Sequence, residues 1–203
     1  MNTFYTQKGK IKMKTINVKK LSYKEKIDLA WGNRTSVELL SALAQDEHPD
    51  IRLTIARNKN TPANVLATLA KDQNRDVRLE VAYNTSTSSE VLATLAGDEY
   101  YSVRLEVAGN KNTPAKVLAI LAKDEHKCVR KGVACNEKTP AELLSSLAKD
   151  EEDVRYMVAC NKNTSAKDLR KLVRDKDAYV KEEASKNLAK HKLDAKRSGK
   201  ELI

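Results

Sequence analysis

Apolar residues recur along this chain in two alternating groups. In the stretch RNKNTPANVLATLAKDQNRDVRLEVA, residues 57–82, Val65, Leu66, Leu69 and Ala70 fall at i, i+1, i+4 and i+5, one stripe of a short helix. Val77, Val81 and Ala82 follow as a second group with i, i+4 spacing, again helical. The whole stretch is then written again at a 26-residue interval, with copies beginning at Trp31, Arg57, Tyr83, Gly109, Cys135 and Cys160 and a partial seventh at Lys186. VLATLA at 65–70 returns at 91–96, and VRLEVA at 77–82 returns at 103–108. A fixed period of this size predicts an all-α solenoid, in which a unit too small to bury its own apolar face buries it against its neighbours. Six copies exceed the roughly three that such a stack needs.

Residues between the apolar groups predict where the helices begin. Thr61 is expected to cap the first helix, its hydroxyl accepting from free amides of the opening turn, with Pro62 at the first helical position. Thr113-Pro114 and Thr139-Pro140 repeat this, while Thr35-Ser36, Thr87-Ser88 and Thr164-Ser165 keep the cap without proline. Glu38, Glu90 and Glu142, three residues after the threonine, are expected to complete capping boxes. The second apolar group leaves room for only about two turns, so a shorter second helix, α or 3-10, is predicted.

Two polar columns run through the copies. Asp46, Asp72, Asp98, Asp124, Asp150 and Asp175 close the first helix, and Arg52, Arg78, Arg104, Arg130, Arg155 and Lys181 follow in the second. A row of arginines can bind phosphates. Because each arginine has its own aspartate, a ladder of inter-repeat ion pairs and turn caps is the favoured reading. Asn58, Asn84, Asn110, Asn136, Asn161 and Asn187 form a third column, placed to satisfy loop amides and carbonyls.

The pattern N-x-N-T-P-x-x-V-L-x-x-L-A-x-D-x-x-x-x-V-R-x-x-V-A at 58–82 resembles the leucine-rich repeat variant family, and its Asp-then-Arg spacing is similar to HEAT repeats. The resemblance spans residues 31–185. It implies a right-handed superhelix of about six two-helix repeats, alternating α with short α or 3-10 helices and closed by helical caps. One type of family member carries an N-terminal iron–sulfur module held by a cysteine cluster. Residues 1–30 here contain no cysteine, so that cofactor is not carried over and none is expected.

The flanks divide the chain further. Residues 1–20, with Lys8, Lys10, Lys12, Lys14, Lys19 and Lys20, are expected to form a basic, flexible segment. A solenoid at 21–187 follows, with a cap helix at 22–30 opened by Ser22 and Glu25, and repeats at 31–56, 57–82, 83–108, 109–134, 135–159 and 160–185. Shifted by one repeat, Lys26 falls on Arg52 and Ala30 on Ala56, which makes 22–30 a leftover second helix. Asp168, Val173, Glu182 and Glu183 make the last unit more polar, as a terminal cap requires. Residues 188–203 read as a frayed, basic helical tail.

The formal net charge of +10 raises a nucleic-acid partner. Its placement argues otherwise. Residues 1–30 hold eight Lys/Arg against two Asp/Glu, residues 170–203 hold eleven against six, and the body at 31–169 holds 19 against 20. A solenoid that cradled a duplex in its groove would carry the excess on its repeats. No apolar run is long enough for a signal peptide or membrane helix, and three cysteines without a leader fit a reducing cytoplasm. No glycine-rich phosphate loop, HExxH, CxxC or nucleophile elbow appears, so no enzyme activity is expected.

The working surface is expected where exposed positions vary while the framework does not. One stripe of the second helix reads Asp50/Thr54/Arg57, Asp76/Glu80/Tyr83, Ser102/Glu106/Gly109, Cys128/Gly132/Cys135, Asp153/Met157/Cys160 and Tyr179/Glu183/Lys186. Arg57, Glu80, Tyr83, Tyr100, Tyr101, Glu106, Tyr156, Met157 and Tyr179 are the candidate partner-binding residues, since tyrosine and arginine favour interfaces. A monomeric scaffold binding a protein or peptide on its concave side is the expected function. The alternative is a nucleic-acid-associated module that uses the basic ends. Cys128, Cys135 and Cys160 are expected to pack rather than bind metal or form disulfides. His48 and His126 are expected to be solvated, and Trp31 to pack against the cap helix.

Overall fold

A computed structural model describes residues 17–197 as a 3-10 turn at Val18–Lys20 followed by thirteen α-helices, with no strand among the described residues. The helices are α1 (Tyr23–Trp31), α2 (Val37–Leu43), α3 (Pro49–Arg57), α4 (Ala63–Leu69), α5 (Arg75–Tyr83), α6 (Ser89–Leu95), α7 (Tyr101–Gly109), α8 (Ala115–Leu121), α9 (Lys127–Cys135), α10 (Ala141–Leu147), α11 (Glu152–Cys160), α12 (Ala166–Leu172) and α13 (Ala178–Arg197). The expectations placed on residues 1–16 and 198–203 lie outside the described residues. Residues 17–20, part of the segment expected to be flexible, make a turn in which the Asn17 side chain accepts from the Lys19 amide at 3.1 Å.

Helix lengths reverse the expected order. The first helix of a repeat, such as α4 or α6, has seven residues, and the second, such as α5 or α7, has nine and is α-helical. The cause lies at the threonines. Thr61, Thr87, Thr113, Thr139 and Thr164 are buried and cap nothing; each hydroxyl donates backwards to the carbonyl six residues earlier, as Thr61 does to Ile55 at 2.7 Å and Thr87 to Val81 at 2.6 Å. An end carbonyl of the preceding second helix is thereby satisfied. The N-cap passes one residue on, to Ser36, Pro62, Ser88, Pro114, Pro140 and Ser165, all extended, and the first helix starts correspondingly late. Glu38, Glu90 and Glu142 then stand two residues after the cap, too early for a reciprocal box. Such a box does form at Ser22 and Glu25, opening α1.

The second helices stack side by side, α1 on α3, α3 on α5 and onward to α11 on α13, while the first helices touch one another sparingly. Leu66, Leu92 and Leu118 are fully buried in one continuous core with Val77, Val81, Val103 and Val107. Each repeat therefore covers the apolar face of the next, as the 26-residue pattern requires. Gly132 brings α9 in close to α7, because a Cβ there would stand 2.9 Å from Leu105 Cδ1 and 3.0 Å from Ala108 Cβ.

Arginine and aspartate link successive repeats. Arg52 Nε and Nη2 donate to both carboxylate oxygens of Asp72, at 2.6 and 2.9 Å, one repeat on. Its own Asp46 supplies only a backbone carbonyl, to Nη1 at 2.7 Å. The same forks join Arg78 to Asp98, Arg104 to Asp124, Arg130 to Asp150 and Arg155 to Asp175. Lys26 on α1 starts the series on Asp46 at 2.7 Å. Burial alone would raise the Asp72, Asp98 and Asp124 carboxyls, but the guanidiniums and the amides two residues on outweigh it and hold them below the ordinary value. For Asp150 and Asp175 the arginine is the largest influence and acts in the same direction.

Asparagines make a parallel seam. Asn84 Nδ2 donates to the carbonyls of Ala56 at 2.7 Å and Asn58 at 3.1 Å in the previous repeat, while its Oδ1 accepts from the Ser86 amide at 2.8 Å. Asn110, Asn136 and Asn161 repeat all three bonds, and Asn58 begins the series on Ala30 at 2.8 Å. Asn187 continues it from inside α13, which reaches Arg197. Asp168, which makes the last unit more polar, is buried and bonded to Ser165 and Lys171.

Candidate functional site

Because repeats superpose at their period, the C-terminal ends of α1, α3, α5, α7, α9 and α11 align as the column Trp31, Arg57, Tyr83, Gly109, Cys135 and Cys160. Trp31 is 53% exposed and Tyr83 67%. Trp31 is therefore not buried against the cap helix. It closes α1 as its last residue, while the buried face of α1 is occupied by Lys26 and Ala30. Sequence reasoning missed Trp31 as a face residue, although its position 26 residues before Arg57 carries the signal.

Beside this ridge lies a groove of about 490 Å³, lined by Arg57, Lys59, Glu80, Tyr83, Glu106 and Gly109 among others. Arg57 Nη2 donates to Glu80 Oε1 at 2.7 Å across α3 and α5. Glu106, on α7, is half-buried; burial first, and the Glu80 charge second, push its carboxyl above the ordinary value. The middle positions of the expected stripe are a floor rather than a rim. Thr54 is buried with its hydroxyl on the Asp50 carbonyl at 2.6 Å, Gly132 is buried in α9, and Met157 packs partly buried against the core.

The other candidates are not gathered here. Tyr100 and Tyr101 stand at the opposite, N-terminal end of α7, about 12 Å from Gly109 at the helical rise. Arg75 and Arg78 place their guanidiniums 5.2 and 5.7 Å from the Tyr100 ring centre, and Tyr101 stacks on His126 at 3.7 Å and 9°. His126 is accordingly engaged rather than simply solvated, and its Nδ1 accepts from the Cys128 amide at 3.2 Å. Tyr156 and Tyr179 line a separate depression of about 230 Å³ with Lys131, Glu152, Asp153 and Asp177. The three cysteines are free; Cys135 and Cys160 are exposed on the column and Cys128 is half-buried, so only the last has the expected packing position. Among the described residues no group of three or more histidine, cysteine, aspartate or glutamate side chains converges as a metal site requires, and no helix is long and apolar enough to cross a membrane.

The chain is similar to a leucine-rich repeat variant described as having a novel repetitive protein structural motif, with 33% identity over 75% of this chain and a TM-score of 0.59. The chain is a leucine-rich repeat variant-like helical solenoid. It covers 62% of that relative's length, less than two thirds. The crystal structure of an engineered protein is also similar, at 19% identity over 75% of this chain and 95% of that one, with a TM-score of 0.46. No protein-family model and no curated protein matches the sequence.

Proposed function

We propose that this chain is a non-enzymatic scaffold that binds a protein partner through its second-helix layer, centred on Trp31, Arg57, Glu80, Tyr83 and Glu106. The observation that carries this reading is the exposed Trp31–Arg57–Tyr83 ridge beside the groove, since tryptophan, tyrosine and arginine are the residues that most often dominate binding energy. The curvature of a stacked solenoid supports it as well. Where one layer packs closely and the other is splayed, the close layer lies inside the curve, and the second helices are that layer. Extended partners lie along such inner surfaces. Three free thiols fit a monomer working in the reducing cytoplasm.

The test compares wild type with Trp31→Ala and Tyr83→Ala in capture from extracts of the native cell, followed by measured affinity for the captured protein. Each variant is expected to keep its helical circular dichroism and to lose about tenfold or more in affinity. Equal affinity in both variants rejects the face. A salt series with duplex DNA and RNA runs beside it, and tight binding that resists salt would instead favour a nucleic-acid role.

A further inference from the structure

The groove beside Tyr83 supports a narrower reading, which rests on the protein-binding role above. Arg57 and Glu80 form an ion pair across adjacent repeats, 23 positions apart, with 2.7 Å between Nη2 and Oε1. Move one repeat along, and the same two slots hold Tyr83 and Glu106. The acid is kept and the cation is not. Among the described residues Glu106 has no ion-pair partner, although Glu80 beside it has one. The following slot of the cation column is Gly109, where an added Cβ would meet nothing within 4 Å, so the groove stays open there.

We infer that Glu106 receives the guanidinium of an arginine side chain carried on an extended segment of the protein partner. The incoming group reproduces one repeat further on the contact that Arg57 already makes with Glu80. The exposed Tyr83 ring supplies a flat face for it. Arginine suits this site better than lysine, because its planar fork meets both carboxylate oxygens and its weaker hydration lets it stack on an aromatic ring. The rim is itself basic, with Arg57, Lys59 and Lys111, so residues flanking that arginine in the partner are expected to be uncharged or acidic. Half-burial already leaves the Glu106 carboxyl above its ordinary value, and a bound cation would bring it back down.

The experiment uses the full chain and three capped peptides, Gly-Ser-Ala-Xaa-Ala-Ser-Gly, with arginine, lysine or citrulline as Xaa, followed by NMR. The arginine peptide is expected to move the signals of Tyr83, Glu106 and Gly109 and to lower the pH midpoint of the Glu106 carboxyl, and the citrulline peptide to do neither. Glu106→Gln should weaken the arginine peptide by about tenfold or more. Tyr83→Arg, which supplies an internal cation, should block it, while Tyr83→Phe should not. Equal effects of citrulline, equal binding of lysine, or shifts spread evenly over other acidic positions would each overturn the inference. Should Trp31→Ala lose the native partner while Glu106→Gln keeps it, the arginine site falls and the binding face stands; if neither variant changes capture, both fall.

Discussion

Arg78 and Asp98 stand 20 positions apart and meet in a two-point ion pair, Nε to Oδ2 at 2.6 Å and Nη2 to Oδ1 at 3.1 Å. The third nitrogen of the fork donates to the Asp72 carbonyl at 2.8 Å. One side chain thus ties the turn of its own repeat to the turn of the next. Lysine, a point charge on a flexible stem, cannot make all three bonds in one plane.

Arg78→Ala should therefore cost about 3 kcal/mol, chiefly because the Asp98 carboxylate, its side chain 5% exposed, loses the cation that donates to both its oxygens. Arg78→Lys should cost less, about 1–2 kcal/mol, by keeping the charge and losing the fork. Urea unfolding followed by circular dichroism gives both values. A midpoint unchanged in Arg78→Ala would remove the ladder from the account of stability.

The asparagine seam makes a different demand, for a donor and an acceptor on one short side chain. Asn110 gives its amide to the Ala82 and Asn84 carbonyls and accepts from the Asn112 amide at 2.9 Å. Asn110→Ala should cost about 2–3 kcal/mol by stranding these buried groups. Asn110→Asp should cost more, since it sets a carboxylate against two carbonyl oxygens. The comparison needs only the two thermal melts, and an aspartate variant as stable as wild type would contradict the assignment.

Acid should loosen the stack. The folded ladder aspartates, Asp72, Asp98, Asp124, Asp150 and Asp175, titrate below their unfolded value of about 3.9. Groups depressed in this way stabilise fully above the unfolded value, and that contribution is lost as pH falls through the folded ones. Stability should be nearly flat from about pH 7 to 5 and should drop below about pH 4. Asp98→Asn should be weaker at neutral pH and less acid-dependent, which denaturant titrations at a series of pH values can check.

Glu106 should behave in the opposite sense. Its folded carboxyl is raised by burial and by Glu80, so ionisation costs more in the folded chain than in the unfolded one. Above the raised value this group destabilises the fold, and below about pH 4 the effect vanishes. Glu106→Gln should stabilise the chain at pH 7 by no more than about 1 kcal/mol, since solvent screens a half-exposed group, and the gain should fade on acidification. A loss of stability at pH 7 would mean that Glu106 already has an internal partner.

The sequence by itself determined the period, the two-helix unit, the buried leucine and valine slots and the polar columns. Each of these depends on spacing along one chain, and helical spacing fixes which side chains share a face. What it could not determine is which copy a side chain reaches. Arg52 reads equally well beside Asp46 or Asp72, and only the offset between stacked helices sets the guanidinium on the later one. Side-by-side stacking of the second helices also leaves Trp31 exposed and puts Tyr101 and Tyr83 at opposite ends of one layer. Contacts within a repeat follow from the chain's local geometry, whereas contacts between repeats follow from the distance and rotation of packing, which the core side chains set jointly.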